Sequence, residues 1–164
     1  MNGDTIVRLP IGQYYAGAGE PRAGVYGLGS CLAVALFDPH ARRYGLAHCL
    51  LPEQGQTTTT GRMPAKFVDQ GITTLVEMLE AQGGRRSQLM AKLAGGAVMF
   101  QTLGREIRPH VGERNIETAH RVLRALGIPL AAEDVGGSEG RTVVADPARC
   151  IITITTLRGG ERVL

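Results

Sequence analysis

The sequence predicts an α+β fold, a layered sandwich of mostly antiparallel sheet covered by two main helices. Three observations predict it. Short runs alternate with period two, most clearly Leu32, Val34 and Leu36 against Ala33, Ala35 and Phe37. Two longer runs carry helical spacing: Val68, Ile72, Leu75, Val76 and Leu79, then Ile116, Ala119, Leu123 and Leu126. The 23 glycines punctuate the chain into short elements without a regular strand–helix–strand alternation.

In chain order, residues 4–9 read as a strand, and residues 13–23, rich in glycine, as a loop. Val25 and Tyr26 lead into a Gly27-x-Gly29 turn. Leu32 to Phe37 is apolar on both faces, as in a strand covered on both sides. Asp38-Pro39-His40-Ala41 is a turn, and Tyr44 to Leu51 the returning strand. If that turn spans residues 38–41 with no bulge, Cys31 falls directly opposite His48, with Cβ atoms about 5 Å apart. Residues 52–61 are polar and read as an exposed loop. A helix follows from about Ala65, ended by Gly83-Gly84. Residues 88–93 form a strand that resumes over Ala97–Phe100 after Gly95-Gly96. A second helix over about residues 115–126 stops at Gly127 and Pro129. Leu130–Glu133 is a short strand, and residues 141–145 and 150–157 pair around Asp146-Pro147.

The chain of 164 residues suits a single domain over residues 1–164. Eighteen basic and fifteen acidic residues give a net charge of +3, with the signs interleaved, so a nucleic-acid partner is not expected. Residues 1–10 lack a secretory pattern, and no apolar run reaches the ~20 residues of a membrane span. Three cysteines (Cys31, Cys49 and Cys150) with no C-x-x-C spacing suit a reduced, cytoplasmic protein better than a disulfide framework.

The chemistry concentrates in Gly27-Leu28-Gly29-Ser30-Cys31 and, 17 positions after the cysteine, His48. Cys31 is open to two readings: a small buried hydrophobe, or a nucleophile whose thiol an imidazole activates beside backbone amides that form an oxyanion hole. On the second reading Cys31 is more reactive than Cys49 or Cys150. A zinc site at Cys31, His48 and Cys49 is disfavoured, because neighbouring strand residues point to opposite faces. His40 lies in a turn, His110 in a loop and His120 on a helix surface, none with a comparable neighbour.

Five blocks carry a family resemblance. Gly27-Leu28-Gly29-Ser30-Cys31, Ala47-His48 with Leu50-Leu51-Pro52, residues 91–97 (Ala-Lys-Leu-Ala-Gly-Gly-Ala) with Met99-Phe100, Gly112-Glu113-Arg114-Asn115 and residues 132–137 (Ala-Glu-Asp-Val-Gly-Gly) occur in this order. Together they resemble the chemoreceptor glutamine deamidases, CheD, across about residues 5–157. The resemblance implies a cytoplasmic enzyme of chemotaxis that converts glutamines on chemoreceptor helices to glutamates, on a layered fold similar to that of bacterial toxin deamidases. It implies Cys31 as nucleophile, His48 as general base and acid, and Ser30 in the oxyanion or orienting role. No cofactor and no metal are expected. The implied partners are chemoreceptor cytoplasmic helices as substrate and a CheC-type phosphatase, with no membrane insertion and the chain a monomer or heterodimer.

One position departs from the family. A threonine six residues before the cysteine is the family's third catalytic member, and here that position is Val25. A backbone carbonyl, Ser30 or a residue of Thr57–Thr60 is then needed to orient His48. Otherwise the chain is a weakly active or inactive homologue that binds receptor or phosphatase. A small Cys–His protease or other amidase is a third reading, for which no Asn or Asp partner is traceable.

Overall fold

A computed structural model describes residues 5–56, 61–99 and 110–164. Among these residues ten strands and two α-helices stack in three layers: helices, a central sheet and an outer sheet. The strands are β1 (Ile6–Arg8), β2 (Tyr14–Ala18), β3 (Arg22–Leu28), β4 (Leu32–Asp38), β5 (Arg43–Cys49), β6 (Met90–Gly95), β7 (Leu130–Val135), β8 (Arg141–Asp146), β9 (Ile151–Thr156) and β10 (Gly160–Val163). The helices are α1 (Val68–Ala81) and α2 (Val111–Leu126). The central sheet has the order β2-β5-β4-β6-β7 and the outer sheet β1-β3-β8-β9-β10. Only β1–β3 and β6–β7 pair in parallel among the described strands, so the mostly antiparallel expectation holds.

The alternation in β4 explains the layering. Leu32, Val34 and Leu36 join Ile72, Leu75, Val76 and Leu79 of α1 and Leu123 of α2 in one core. Ala33, Ala35 and Phe37 join Val25, Val143 and Ile154 of the outer sheet in a second. Every residue of β4 is buried, because it is covered on both faces.

Two strands escape the sequence reading. β2 (Tyr-Tyr-Ala-Gly-Ala) lies in the segment expected to be loop, yet pairs with β5 over five residues. Its Ala16 packs against the core under α1, which lies close over this edge. A Cβ added to Gly45, opposite Ala16, would come within 2.7 Å of Leu75 Cδ2. β10 is exposed along its whole length and has no apolar pattern to announce it. α2 begins four residues earlier than expected. His110 is its N-cap, with the Glu113 carboxylate accepting from the His110 amide at 3.3 Å. The expected strand after Gly95-Gly96 does not form over residues 97–99, and its last residue, Phe100, lies outside the described residues.

The β4–β5 hairpin has a register different from the one the turn suggested. Asp38 pairs with Arg43, so the loop is Pro39–Arg42, and Ala33, not Cys31, lies opposite His48. The Asp38 carboxylate accepts from the amides of His40 and Ala41 at 3.0 and 2.9 Å and from Arg85 at 2.9 Å, and Arg42 takes a left-handed φ of 53°. Burial would raise the Asp38 carboxyl, but these amides outweigh it and hold the group below its ordinary range. The strands therefore close one pair further out than expected. The partner of His48 moves by two residues, which keeps every side chain on its expected face.

Candidate active site

Cys31 and His48 share the face of the central sheet that looks toward the outer sheet. Cys31 stands just before β4 and belongs to the same buried cluster as Ala33, Val25 and Leu28. Ala33 is directly opposite His48. Cys31 thus lies two residues before the partner of His48, the diagonal position, for which Cα atoms in a regular ladder are about 7–8 Å apart. Both are nearly enclosed, at 7% and 4% exposure.

His48 is held at three points by the connection between β1 and β2. Its amide donates to Gln13 O at 3.0 Å, and its carbonyl accepts from Gly12 N at 2.8 Å. Its ring Nδ1 lies 2.9 Å from Leu9 O. A carbonyl only accepts, so Nδ1 carries the hydrogen and Nε2 keeps its lone pair. The group that holds the His48 ring is thus the Leu9 carbonyl. Val25 itself is fully buried, paired with Val143, and packs as hydrocarbon in the inter-sheet core. The Ser30 hydroxyl makes no hydrogen bond among the described residues, and Thr57–Thr60 lie outside them.

Gly12 is what lets this loop close. Its φ is +83°, and a Cβ there would sit 2.7 Å from Met63 Cβ, while its carbonyl accepts from Ala65 N at 2.8 Å. Gly12→Ala is expected to cost about 1–3 kcal/mol, from the left-handed backbone and the crowding. It is expected to slow any reaction that depends on the His48 ring, and paired melting and rate measurements check both.

The turn that carries Cys31 is anchored by all three of its carbonyls. Gly29 O accepts from Ala97 N at 3.0 Å, and Cys31 O from Gly96 N at 2.8 Å. Ser30 O accepts from Asn115 Nδ2 at 2.9 Å, and the same nitrogen lies 3.2 Å from Leu50 O. Gly95 must be glycine, since its φ is +111° and a Cβ would collide with the Cys31 carbonyl oxygen. The amides of Ser30 and Cys31 donate to no backbone acceptor among the described residues.

The electrostatics do not show the lowered thiol pKa that the nucleophile reading of Cys31 calls for. Burial pushes the Cys31 thiol above its ordinary value, with its own amide offsetting part. Burial also pulls the His48 imidazole below its ordinary value, against the bond to Leu9. Both shifts favour the uncharged forms, thiol and neutral imidazole. Enclosure penalises both charges more than the local hydrogen bonds favour them.

The other cysteines and histidines lie elsewhere. Cys49 faces α1 beneath Gly71, on the opposite side of β5 from His48, and burial raises its thiol as well. That alternation keeps Cys49 out of any site with His48. Cys150 sits in the turn before β9 with φ of 53°, and its carbonyl accepts from Lys92 Nζ at 2.7 Å. His40 is in the β4–β5 loop, His110 caps α2, and His120 pairs with Glu133 at 2.6 Å on the surface, a partner the sequence did not reveal. Sequence reasoning assigned no role to Leu9 or Asn115. A backbone carbonyl has no residue-type signature, whereas Asn115 stood in a recognised block.

Comparison with known proteins agrees with the sequence blocks. The profile of a family described as "CheD chemotactic sensory transduction" matches residues 50–156. "Probable chemoreceptor glutamine deamidase CheD" of Pyrococcus abyssi is 41% identical over 155 residues, 94% of each chain. "Chemoreceptor glutamine deamidase CheD" of Halalkalibacterium halodurans is 40% identical over 136 residues, 83% of this chain and 84% of that one. Among solved structures, the Bacillus licheniformis hypothetical protein YfiH aligns with a TM-score of 0.47 at 14% identity, covering 84% of this chain and 60% of that one. With a family profile over residues 50–156 and relatives near 40% identity over 83–94% of its length, the chain belongs to the CheD family.

Proposed function

We propose that this protein deamidates glutamine side chains of chemoreceptors, the activity that its relatives' names describe, through a thioester on Cys31. The observation that carries the reading is the bond from His48 Nδ1–H to Leu9 O. It leaves Nε2 as a proton acceptor on the face where Cys31 lies. As the thiol attacks the glutamine amide carbonyl, Nε2 takes its proton and a C–S bond forms. The amides of Ser30 and Cys31 stabilise the oxyanion. The imidazolium then protonates the departing nitrogen, ammonia leaves, and the acyl group remains on sulfur. Nε2 next accepts a proton from water, whose oxygen attacks the thioester to give glutamate and the free thiol. Shifts toward the uncharged thiol and imidazole suit this order of steps, in which charge develops as the thiol attacks.

The proposal includes a role in chemotactic adaptation, in the cytoplasm, where the three free thiols stay reduced. The 1–164 chain acts as one deamidase domain, as a monomer or as a heterodimer with a CheC-type phosphatase; the phosphatase rests on the family resemblance alone. Among the described residues no helix is long and apolar enough to cross a membrane. The test is mass spectrometry of receptor cytoplasmic fragments: wild-type protein is expected to add about one mass unit at particular glutamines, as amide becomes acid. Binding without any mass change would favour the homologue that only docks.

Val25→Thr separates the two readings. With Leu9 already holding the ring, the added hydroxyl is expected to change kcat by less than about threefold. It is expected to cost about 1–3 kcal/mol, since a hydroxyl replaces a methyl in an apolar core. A large gain in rate would show that the carbonyl is an inadequate substitute for the family threonine.

A further inference from the structure

We infer that Asn115 is a positioning residue for this reaction, aiming the backbone N–H of Cys31 at the oxyanion; the inference rests on the thioester reading above. The peptide linking Ser30 to Cys31 is planar and trans, so its carbonyl and its N–H point in opposite directions. Fixing the Ser30 carbonyl therefore fixes the direction of the Cys31 N–H. Asn115 Nδ2 fixes it, at 2.9 Å. The preceding peptide is treated the same way, since Gly29 O accepts from Ala97 N and its N–H is that of Ser30. Both candidate oxyanion donors thus belong to peptides whose opposite ends are anchored. Donation to a carbonyl also polarises its peptide and strengthens the N–H as a donor.

Asn115 also joins the two halves of the site. Its second contact, Leu50 O at 3.2 Å, lies two residues after His48. One side-chain amide thus ties the Cys31 turn to the end of the His48 strand. The amide orientation is forced, because two carbonyl acceptors require the NH2 group and would repel Oδ1. Asn115 is fully buried, and its Oδ1 has no partner among the described residues. A buried acceptor left unpaired calls for a reason, and the double donation to the turn supplies one. The platform beneath is tight. A Cβ on Gly112 would lie 2.5 Å from Gly96 O, so the first turn of α2 rests directly on the backbone that anchors Gly29 and Cys31.

The experiment compares two reactions of the same thiol. A receptor-derived peptide whose target glutamine is replaced by the side-chain aldehyde adds to Cys31, forming a C–S bond while the thiol proton passes to the aldehyde oxygen. That oxygen occupies the oxyanion position. Iodoacetamide alkylates the same sulfur with loss of iodide and needs no oxyanion donor. Asn115→Ala is expected to weaken aldehyde binding and kcat on the order of 10- to 100-fold. KM and the rate of Cys31 alkylation should stay within about twofold. A parallel fall in alkylation and aldehyde binding would mean a merely structural role and overturn the inference, as would no change in either. Asn115→Ser, which keeps one donor, should fall between the two proteins. If neither variant folds, NMR of the wild-type protein decides: the Cys31 amide proton should move downfield on aldehyde addition, and an unmoved resonance overturns the inference. Wild-type protein that neither adds the aldehyde nor deamidates receptor fragments sinks the thioester reading itself. Normal wild-type activity with an unaffected Asn115→Ala variant sinks only the role of Asn115.

Discussion

Cys31→Ala is expected to reduce deamidation of receptor fragments to background, a loss of at least about 10⁴-fold, since in the proposed mechanism Cys31 carries the acyl group. The substitution removes one sulfur from a nearly enclosed site, so a melting curve close to wild type should accompany the loss. Cys49 cannot substitute, because it lies on the other face of β5 under α1. Cys150 cannot substitute either, since it belongs to the turn before β9, where its carbonyl holds Lys92. Retained activity in Cys31→Ala would remove the nucleophile from the mechanism and with it the thioester.

His48→Gln is expected to lower kcat by about 10²- to 10⁴-fold, the range for losing a positioned general base and acid. Glutamine can still donate to Leu9 O but cannot take a proton, so it separates chemistry from support. His48→Ala should lose a similar rate and more stability, because Leu9 O is then buried without a donor. The wild-type pH profile has a defined sign. Burial places the His48 pKa below its ordinary value of about 6.5, so the acid limb of kcat/KM should lie below that pH and vanish in His48→Gln. Stability follows the same group. Below about pH 6.5 the unfolded chain binds a proton that the native imidazole does not, so the His48 contribution, present above that pH, declines as the pH falls through the native value.

The site was legible in the sequence where side-chain type and periodicity carried the information. Leu32–Phe37 announced a strand covered on both faces, and Val68 to Leu79 announced the buried face of α1. The pairing of Cys31 with His48 did not hold, but the two stayed on one face, because the register error was two residues and a strand repeats every two. What the sequence hid lay in the backbone and in packing. The carbonyl of Leu9 orients His48, and any residue type can supply a carbonyl. The loop beyond Asp38 was set by three amides converging on one carboxylate, one of them from Arg85. β2 was hidden because Ala16, Gly17 and Ala18 have weak strand preference; of these, Ala16 packs against the core that α1 covers. Asn115 was visible within Gly112-Glu113-Arg114-Asn115, but its part depends on a fold that brings α2 against the Cys31 turn.

The central claim is that glutamine is hydrolysed through an acyl group on Cys31, and acid-quenched peptide mapping of the enzyme during turnover of a receptor fragment tests it most directly. The account predicts a substrate peptide, less the elements of ammonia, in thioester linkage to Cys31, labile to hydroxylamine and absent from Cys49 and Cys150. Conversion of glutamine to glutamate with no adduct on Cys31, at a rate that Cys31→Ala leaves unchanged, would contradict it.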